Sequence, residues 1–201
     1  MIKATEIGKY VKGQIALLVK DGKALEYSGT KARLAQLRRG VGKKPGELPE
    51  LWGVFLKNIP EDWMCTNGEP TYVEWAVYTA LTLFALHQQG HCEVMHAEEG
   101  GSSLGQAARK LVRSEEDEEN IRRKLSIVAK SEDMTELSYH LKTIIRLFGN
   151  NDIRLNYAEL AEDLYRFQFE QNADEIRLKW GRDFYRNIKT EDKGKGECDE
   201  E

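Results

Sequence analysis

The segment from Pro70 to Gln89 restricts the fold more than any other part of this sequence, because it predicts a helix that is apolar nearly all the way round. Its bulky side chains include Trp75, Tyr78, Leu81 and Phe84, which lie on different sides of a helix. Such a helix is buried on several sides, so other elements have to surround it. Its apolar run is well short of the roughly 20 residues that cross a bilayer, which excludes a membrane-embedded protein.

The rest of the chain also predicts helices, because it has only four prolines and little of the alternating apolar pattern of strands. The predicted segments are Thr5–Val19, a helix after the N-cap Thr30, a short helix from Pro49, Ser103–Arg113, three helices from Ser114, Asp133 and Asn156, and Ala173–Arg186. An acidic residue three positions after each of the last three N-caps (Asp117, Glu136 and Glu159) supports those starts. We therefore predict an all-α fold of about eight or nine helices.

The net charge of −4 comes from one end of the chain. Residues 191–201 carry six acids and two lysines, so the body that precedes them is neutral. We expect this acidic, glycine-containing end (residues 190–201) to be a disordered tail. The three cysteines Cys65, Cys92 and Cys198 form no disulfide framework, and the first twenty residues lack the pattern of a signal peptide. We therefore expect a cytoplasmic protein.

Basic residues cluster between Lys31 and Lys44, where no acid interrupts the stretch from Ser28 to Gly46. The cluster contains Lys31, Arg33, Arg38, Arg39, Lys43 and Lys44. Further basic positions lie opposite the apolar stripes of later helices, at Arg123, Lys130, Lys142 and Arg146, and Lys179, Arg182 and Arg186 form one ridge. Such faces suit a groove that follows backbone phosphates without reading sequence, although each one alone is also typical of an ordinary solvated helix face.

Two patterns that resemble chemical sites have simpler explanations. His87, His91, Cys92 and His96 fall within ten residues, but the later three lie in a glycine-flanked loop, whereas a structural zinc site needs four rigid ligands. GGSSLG at 100–105 lacks the spacing of a phosphate-binding loop and no strand precedes it. We find no paired carboxylates and no nucleophile with a base, so we expect no enzyme, no cofactor and no bound metal.

Six motifs follow one another in a characteristic order. They are LAQLRRGVGKKPGELPELW, ALTLFALHQQG, SLGQAARKLV, NIRRKLSIVAKSEDMTELSYHLKTIIRLF, LNYAELAEDLYRFQ and KWGRDFY. The series extends over roughly Tyr10 to Arg186 and resembles the CasB family, the small subunit of the type I-E CRISPR surveillance complex Cascade. The resemblance implies one helical domain over residues 1–189, in which an N-terminal part (about 1–110) packs on a C-terminal bundle (about 114–189).

The resemblance also implies a function. Small subunits of this family are non-catalytic, occur as a pair within the complex, and contact the large subunit and the backbone subunits. They run beside the hybrid of guide RNA and target DNA and help to hold the displaced DNA strand through basic residues. Arg38 and Arg39 match one arginine pair of the family, Arg122 and Arg123 match a second pair, and Lys142 and Arg146 fall on the basic helix that follows, with Lys130 near another basic position.

Two other functions are compatible with the residues. A helical adaptor could bind proteins through its aromatic residues, with basic faces that contact no nucleic acid. A metal-dependent enzyme could be centred on His87, His91, Cys92 and His96.

Overall fold

The computed structural model describes residues 2–19, 28–64, 66–97 and 101–186 and shows an all-α fold, as predicted. Within these residues lie nine α-helices: α1 Ala4–Leu18, α2 Ser28–Arg39, α3 Trp52–Phe55, α4 Tyr72–His87, α5 Leu104–Arg109, α6 Glu115–Ala129, α7 Met134–Asn150, α8 Tyr157–Phe167 and α9 Glu170–Tyr185. Two short 3-10 helices, Pro49–Leu51 and Glu61–Trp63, are also present. The predicted tail lies outside the described residues, as do Cys65 and Cys198.

α4 is the centre of the molecule, as its composition predicts. It is buried along nearly its whole length and packs against α1, α2, α7 and α8. Its first turn is closed by a capping box, in which the Thr71 hydroxyl accepts from the Glu74 N–H and the Glu74 carboxylate accepts from the Thr71 N–H. The surrounding helices join one continuous apolar core that extends from α1 to α9. No helix of the described ranges is both long and apolar enough to span a membrane.

Predicted helix starts agree with the structure where a polar side chain caps the first turn. Ser103, Ser114, Asp133 and Asn156 each accept a hydrogen bond from the N–H three residues on. Asp117 and Glu136 do not close a reciprocal box with their caps. Their carboxylates accept instead from the N–H of the residue before each cap, Arg113 and Glu132, at 3.2 and 2.8 Å.

Two predicted starts were wrong. Thr30 is not an N-cap, because α2 already includes Ser28. α9 begins at Glu170 rather than near Ala173, and its N-cap, Phe169, offers no side-chain hydrogen bond. The Phe169 ring instead packs edge-on against Tyr165 and Tyr72, at centroid distances of 5.1 and 4.9 Å. Aromatic packing, which leaves no capping signal in the sequence, accompanies this start.

Candidate nucleic-acid interface

The C-terminal end of α2 presents its basic residues beside a buried apolar stripe. Leu34 and Leu37 are buried as α2 packs on α4. Arg38 is half-buried and the Arg39 side chain is 66% exposed. The packing of the leucines therefore holds this end of the helix in place while Arg39 stays exposed and Arg38 stays partly exposed.

The loop that follows α2 joins this end to α7. Gly42 has a φ of +79°, a left-handed conformation that glycine adopts without steric cost. In this conformation its N–H donates to the Ser138 hydroxyl of α7 at 3.2 Å. The contact links residues 96 positions apart in sequence and places the end of α2 beside one ridge of α7.

That ridge carries two further cations. Ser138, Lys142 and Arg146 are spaced four residues apart, so they lie above one another along one side of α7. Lys142 is half-buried and Arg146 is exposed. Arg146 also lines a cleft of about 460 Å³ with His91 and Asn150. We call Arg38, Lys142 and Arg146 the α2–α7 basic strip.

Ion pairing divides the predicted basic residues into two classes. Seven have a carboxylate partner: Arg39 with Glu50, Lys43 with Glu47, Lys44 with Glu69, Arg122 and Arg123 with Glu119, Lys179 with Glu159 and Asp163, and Arg186 with Asp183. The other seven have no ion pair with any residue that the structure describes: Lys31, Arg33, Arg38, Lys130, Lys142, Arg146 and Arg182. All three members of the α2–α7 basic strip belong to the second class, so their charges are not neutralised locally.

Lys179 is held inside the fold. Its ammonium group donates to both carboxylate oxygens of Asp163, at 2.6 and 2.8 Å, and lies 2.7 Å from Glu159. Asp163 is buried and also accepts from the Trp180 indole N–H at 2.8 Å. Burial raises the pKa of Asp163, although Lys179 and Trp180 act in the opposite direction. Lys179 therefore fastens α9 to α8, and its charge is neutralised within the fold.

The remaining predicted cations lie on α6 and α9. Arg122 and Arg123 share the partner Glu119, and Lys130 follows the end of α6. Arg182 lies beside Gly101 and Gln106, where α5 packs on α9. These residues form a second group, carried by different helices from the α2–α7 basic strip.

The three histidines singled out in the sequence make contacts within the fold, whereas the cysteine beside them is exposed. His87 is buried, and its Nδ1 lies 3.0 Å from the Tyr157 hydroxyl. His96 accepts from the Tyr157 N–H at 3.2 Å, His91 lies 3.3 Å from the Asp152 carboxylate, and Cys92 is exposed. Among the described residues, no group of three or more histidine, cysteine and acidic side chains could hold a metal ion. His87 at the end of α4 and His96 in the loop after it therefore both contact Tyr157 at the start of α8.

One exposed side chain near the basic strip was missed in the sequence. Tyr139 is 62% exposed on α7, on the side opposite the buried residues Leu137, Leu141 and Ile144. The spacing of Tyr139 from those apolar residues already predicts, from the sequence, that its ring is exposed. A definition of the interface by basic residues alone does not include it.

Comparison with known proteins identifies the family. The family model described as CRISPR-associated protein Cse2 matches residues 33–185, which is more than half of the chain. The chain belongs to the Cse2 family. The predicted resemblance to the CasB family is thereby confirmed. The Cse2 match contains the predicted basic residues from Arg33 to Arg182, whereas Lys31 and Arg186 lie outside it.

Solved structures agree with the Cse2 assignment. The crystal structure of CasB from Thermobifida fusca is 31% identical with a TM-score of 0.74, and the match covers 90% of this chain and 98% of that one. A chain described as part of a CRISPR RNA-guided surveillance complex has the same fold, with 17% identity, a TM-score of 0.59 and coverage of 90% and 95%. A search of curated proteins gave no match.

Proposed function

We propose that this chain is a non-catalytic small subunit of a type I-E Cascade and that it holds the displaced DNA strand without reading its sequence. Membership of the Cse2 family and the likeness to CasB from Thermobifida fusca support the role as a subunit. The proposed partners are the large subunit, the backbone subunits, a second copy of this chain, the guide RNA and the target DNA. The small subunit stabilises the open complex by contact and carries out no chemical step.

The observation that carries the nucleic-acid part of the proposal is the α2–α7 basic strip. Its three cations come from two helices joined by the contact between Gly42 and Ser138, and none has an ion pair within the described residues. A cation without a carboxylate partner can bind a phosphate without first breaking an ion pair. It also releases condensed counterions from the nucleic acid, which favours association.

Modest contacts are sufficient for this function. Opening the target replaces one DNA duplex with a hybrid of similar stability. Small additional contributions to the free energy therefore decide whether the target stays open. Cations that hold the displaced strand oppose its re-annealing. Lys31 extends the strip along α2, and Lys130 and Arg182 offer further unpaired charges, whereas the paired residues Arg39, Lys43, Lys44, Arg122 and Arg123 should contribute less.

Charge reversal in a reconstituted complex tests the proposal. We expect the double variant Lys142→Glu with Arg146→Glu to assemble normally but to leave the displaced strand more accessible to chemical footprinting. The control is Lys9→Glu with Lys57→Glu, which changes the net charge equally at two exposed lysines that have no ion pair within the described residues. Each lost phosphate contact should also flatten the dependence of log K on log salt by about 0.7.

The outcomes separate the proposed functions. Protection that the control retains and the strip variant loses supports a displaced-strand clamp. Equal protection in both variants contradicts the clamp. If the complex with the wild-type chain assembles but leaves the displaced strand unprotected, the chain is a structural spacer. If the chain does not assemble at all, the proposed role as a Cascade subunit is wrong.

A further inference from the structure

We propose that Tyr139 is a stacking platform for a base of single-stranded DNA held by the α2–α7 basic strip. The inference rests on the proposed function and deepens it, because it assigns a contact to the bases rather than to the phosphates. Phosphate contacts hold a strand by charge, whereas an aromatic ring holds it through the flat face that every base possesses. A stacking residue is therefore compatible with binding that ignores sequence.

The position of Tyr139 on α7 is the first observation. The buried residues Leu137, Leu141, Ile144 and Phe148 define the core face of the helix, and Tyr139 lies on the opposite face. Its side chain is 62% exposed. The ring packs edge-on against the neighbouring His140 imidazole, with a centroid distance of 5.6 Å and an interplanar angle of 70°. That contact engages the side of the residue away from the basic strip.

The surrounding charge is the second observation. At about 100° per residue, Arg146 lies within about 20° of Tyr139 around the helix and about 10 Å along its axis. Lys142 lies between Tyr139 and Ser138, the residue that receives the loop from α2. The one acid on this part of the helix, Glu136, accepts a hydrogen bond from the Glu132 N–H and interacts with His140 on the other flank. A strand whose phosphates contact Lys142 and Arg146 would therefore pass the Tyr139 ring.

Other exposed tyrosines lack this combination. The Tyr72 ring packs against Phe169 at 4.9 Å, and it lines a groove that also contains Glu69 and Glu170. The Tyr185 ring packs against Phe184 at 5.1 Å, and the cation with which Tyr185 interacts, Arg122, is already ion-paired with Glu119. Tyr72 is therefore a matched control, because it is an exposed tyrosine whose groove is lined by more acidic residues than basic ones.

Binding of an oligothymidylate and of an abasic oligonucleotide of equal length to the full chain at low salt tests the inference. We expect Tyr139→Leu to weaken binding of the oligothymidylate by about fivefold or more, the lower end of measured base stacking. Its affinity for the abasic strand and its salt dependence should stay as in the wild type, because no charge is lost. Tyr139→Phe keeps the ring and should bind both strands as the wild type does, as should Tyr72→Leu.

Three results with the variants would overturn the stacking platform. They are an unchanged affinity of Tyr139→Leu for the oligothymidylate, an equal loss on both strands, and an equal loss in Tyr139→Phe, which would assign the effect to the hydroxyl group. A wild-type chain that binds both strands equally also overturns the stacking while leaving the phosphate clamp intact. A wild-type chain that binds neither strand overturns the proposed nucleic-acid binding and this inference together.

Discussion

His87 is a titratable side chain that is buried in the core. It lies at the end of α4, buried against Tyr157 and within 6.3 Å, between ring centroids, of both His91 and Phe148. Burial, with a smaller contribution from His91, lowers the pKa of His87 to about 3. The imidazole is therefore neutral in the folded protein at neutral pH.

This burial predicts a loss of stability in acid. The unfolded chain binds a proton at His87 near pH 6.5, whereas the folded chain does so only near pH 3. The contribution of His87 to the free energy of unfolding is therefore fully present above about pH 6.5 and falls as the pH drops towards 3. Between about pH 7.5 and pH 4.5 the loss due to His87 is about 2 to 3 kcal/mol. Urea unfolding at both pH values should show a smaller difference for His87→Gln than for the wild type. The same difference in both proteins would contradict this prediction.

At the scale of elements, the close approach of α5 and α9 depends on one glycine. A Cβ at Gly105 would lie 2.2 Å from the Trp180 carbonyl oxygen and 2.8 Å from the Phe184 nitrogen, both backbone atoms of α9. The same region is tied by the Ser103 hydroxyl, which donates to Asp183 at 2.7 Å. The two helices can pack at this distance only because residue 105 has no side chain.

Gly105→Ala should therefore destabilise the protein, by about 1 to 3 kcal/mol or more, because backbone atoms have to move apart. Gly181→Ala on α9 is the matched control, since a Cβ there meets no atom within 4 Å. It should stabilise the protein by about 0.5 to 1 kcal/mol, as expected for alanine inside a helix. Thermal or urea unfolding measures both changes. Equal effects of the two variants would show that the α5–α9 contact is looser than the structure indicates.

At the scale of the whole molecule, the first and last parts of the chain form one core. α1 packs on α8 and α4, while α5 packs on α9, so helices distant in sequence surround α4 from several sides. Ile15 on α1 is almost fully buried in this core. The loss of its side chain should therefore weaken the whole fold rather than α1 alone.

We expect the chain to unfold in a single transition that circular dichroism and tryptophan fluorescence report at the same urea concentration. Ile15→Ala should move both midpoints together, with a loss of about 2 to 5 kcal/mol. Leu17→Ala is a suitable control because Leu17 is an exposed residue of the same helix, and it should have little effect. If Ile15→Ala separates the two transitions, α1 and its neighbours unfold independently of the rest.

Much of the fold follows from local signals. The apolar circumference of α4 predicted its burial, and the polar caps at Ser103, Ser114, Asp133 and Asn156 predicted four helix starts. These predictions succeeded because hydrophobic periodicity and capping act over one or two turns of helix. The start of α9 was not predicted, because it is accompanied by contacts of Phe169 with the rings of other residues rather than by a capping side chain.

Local patterns in the sequence were enough to predict most helices, the family and the residues that could carry positive charge to a nucleic acid. Which of those charges have a carboxylate partner depends on the tertiary structure. Lys179 and Arg146 look alike as exposed-face cations in the sequence, yet Asp163 neutralises the first, and no carboxylate of the described residues pairs with the second. Pairing depends on which helices meet, as does the Gly42–Ser138 contact that joins α2 to α7, and helical periodicity carries no information about partners in distant segments.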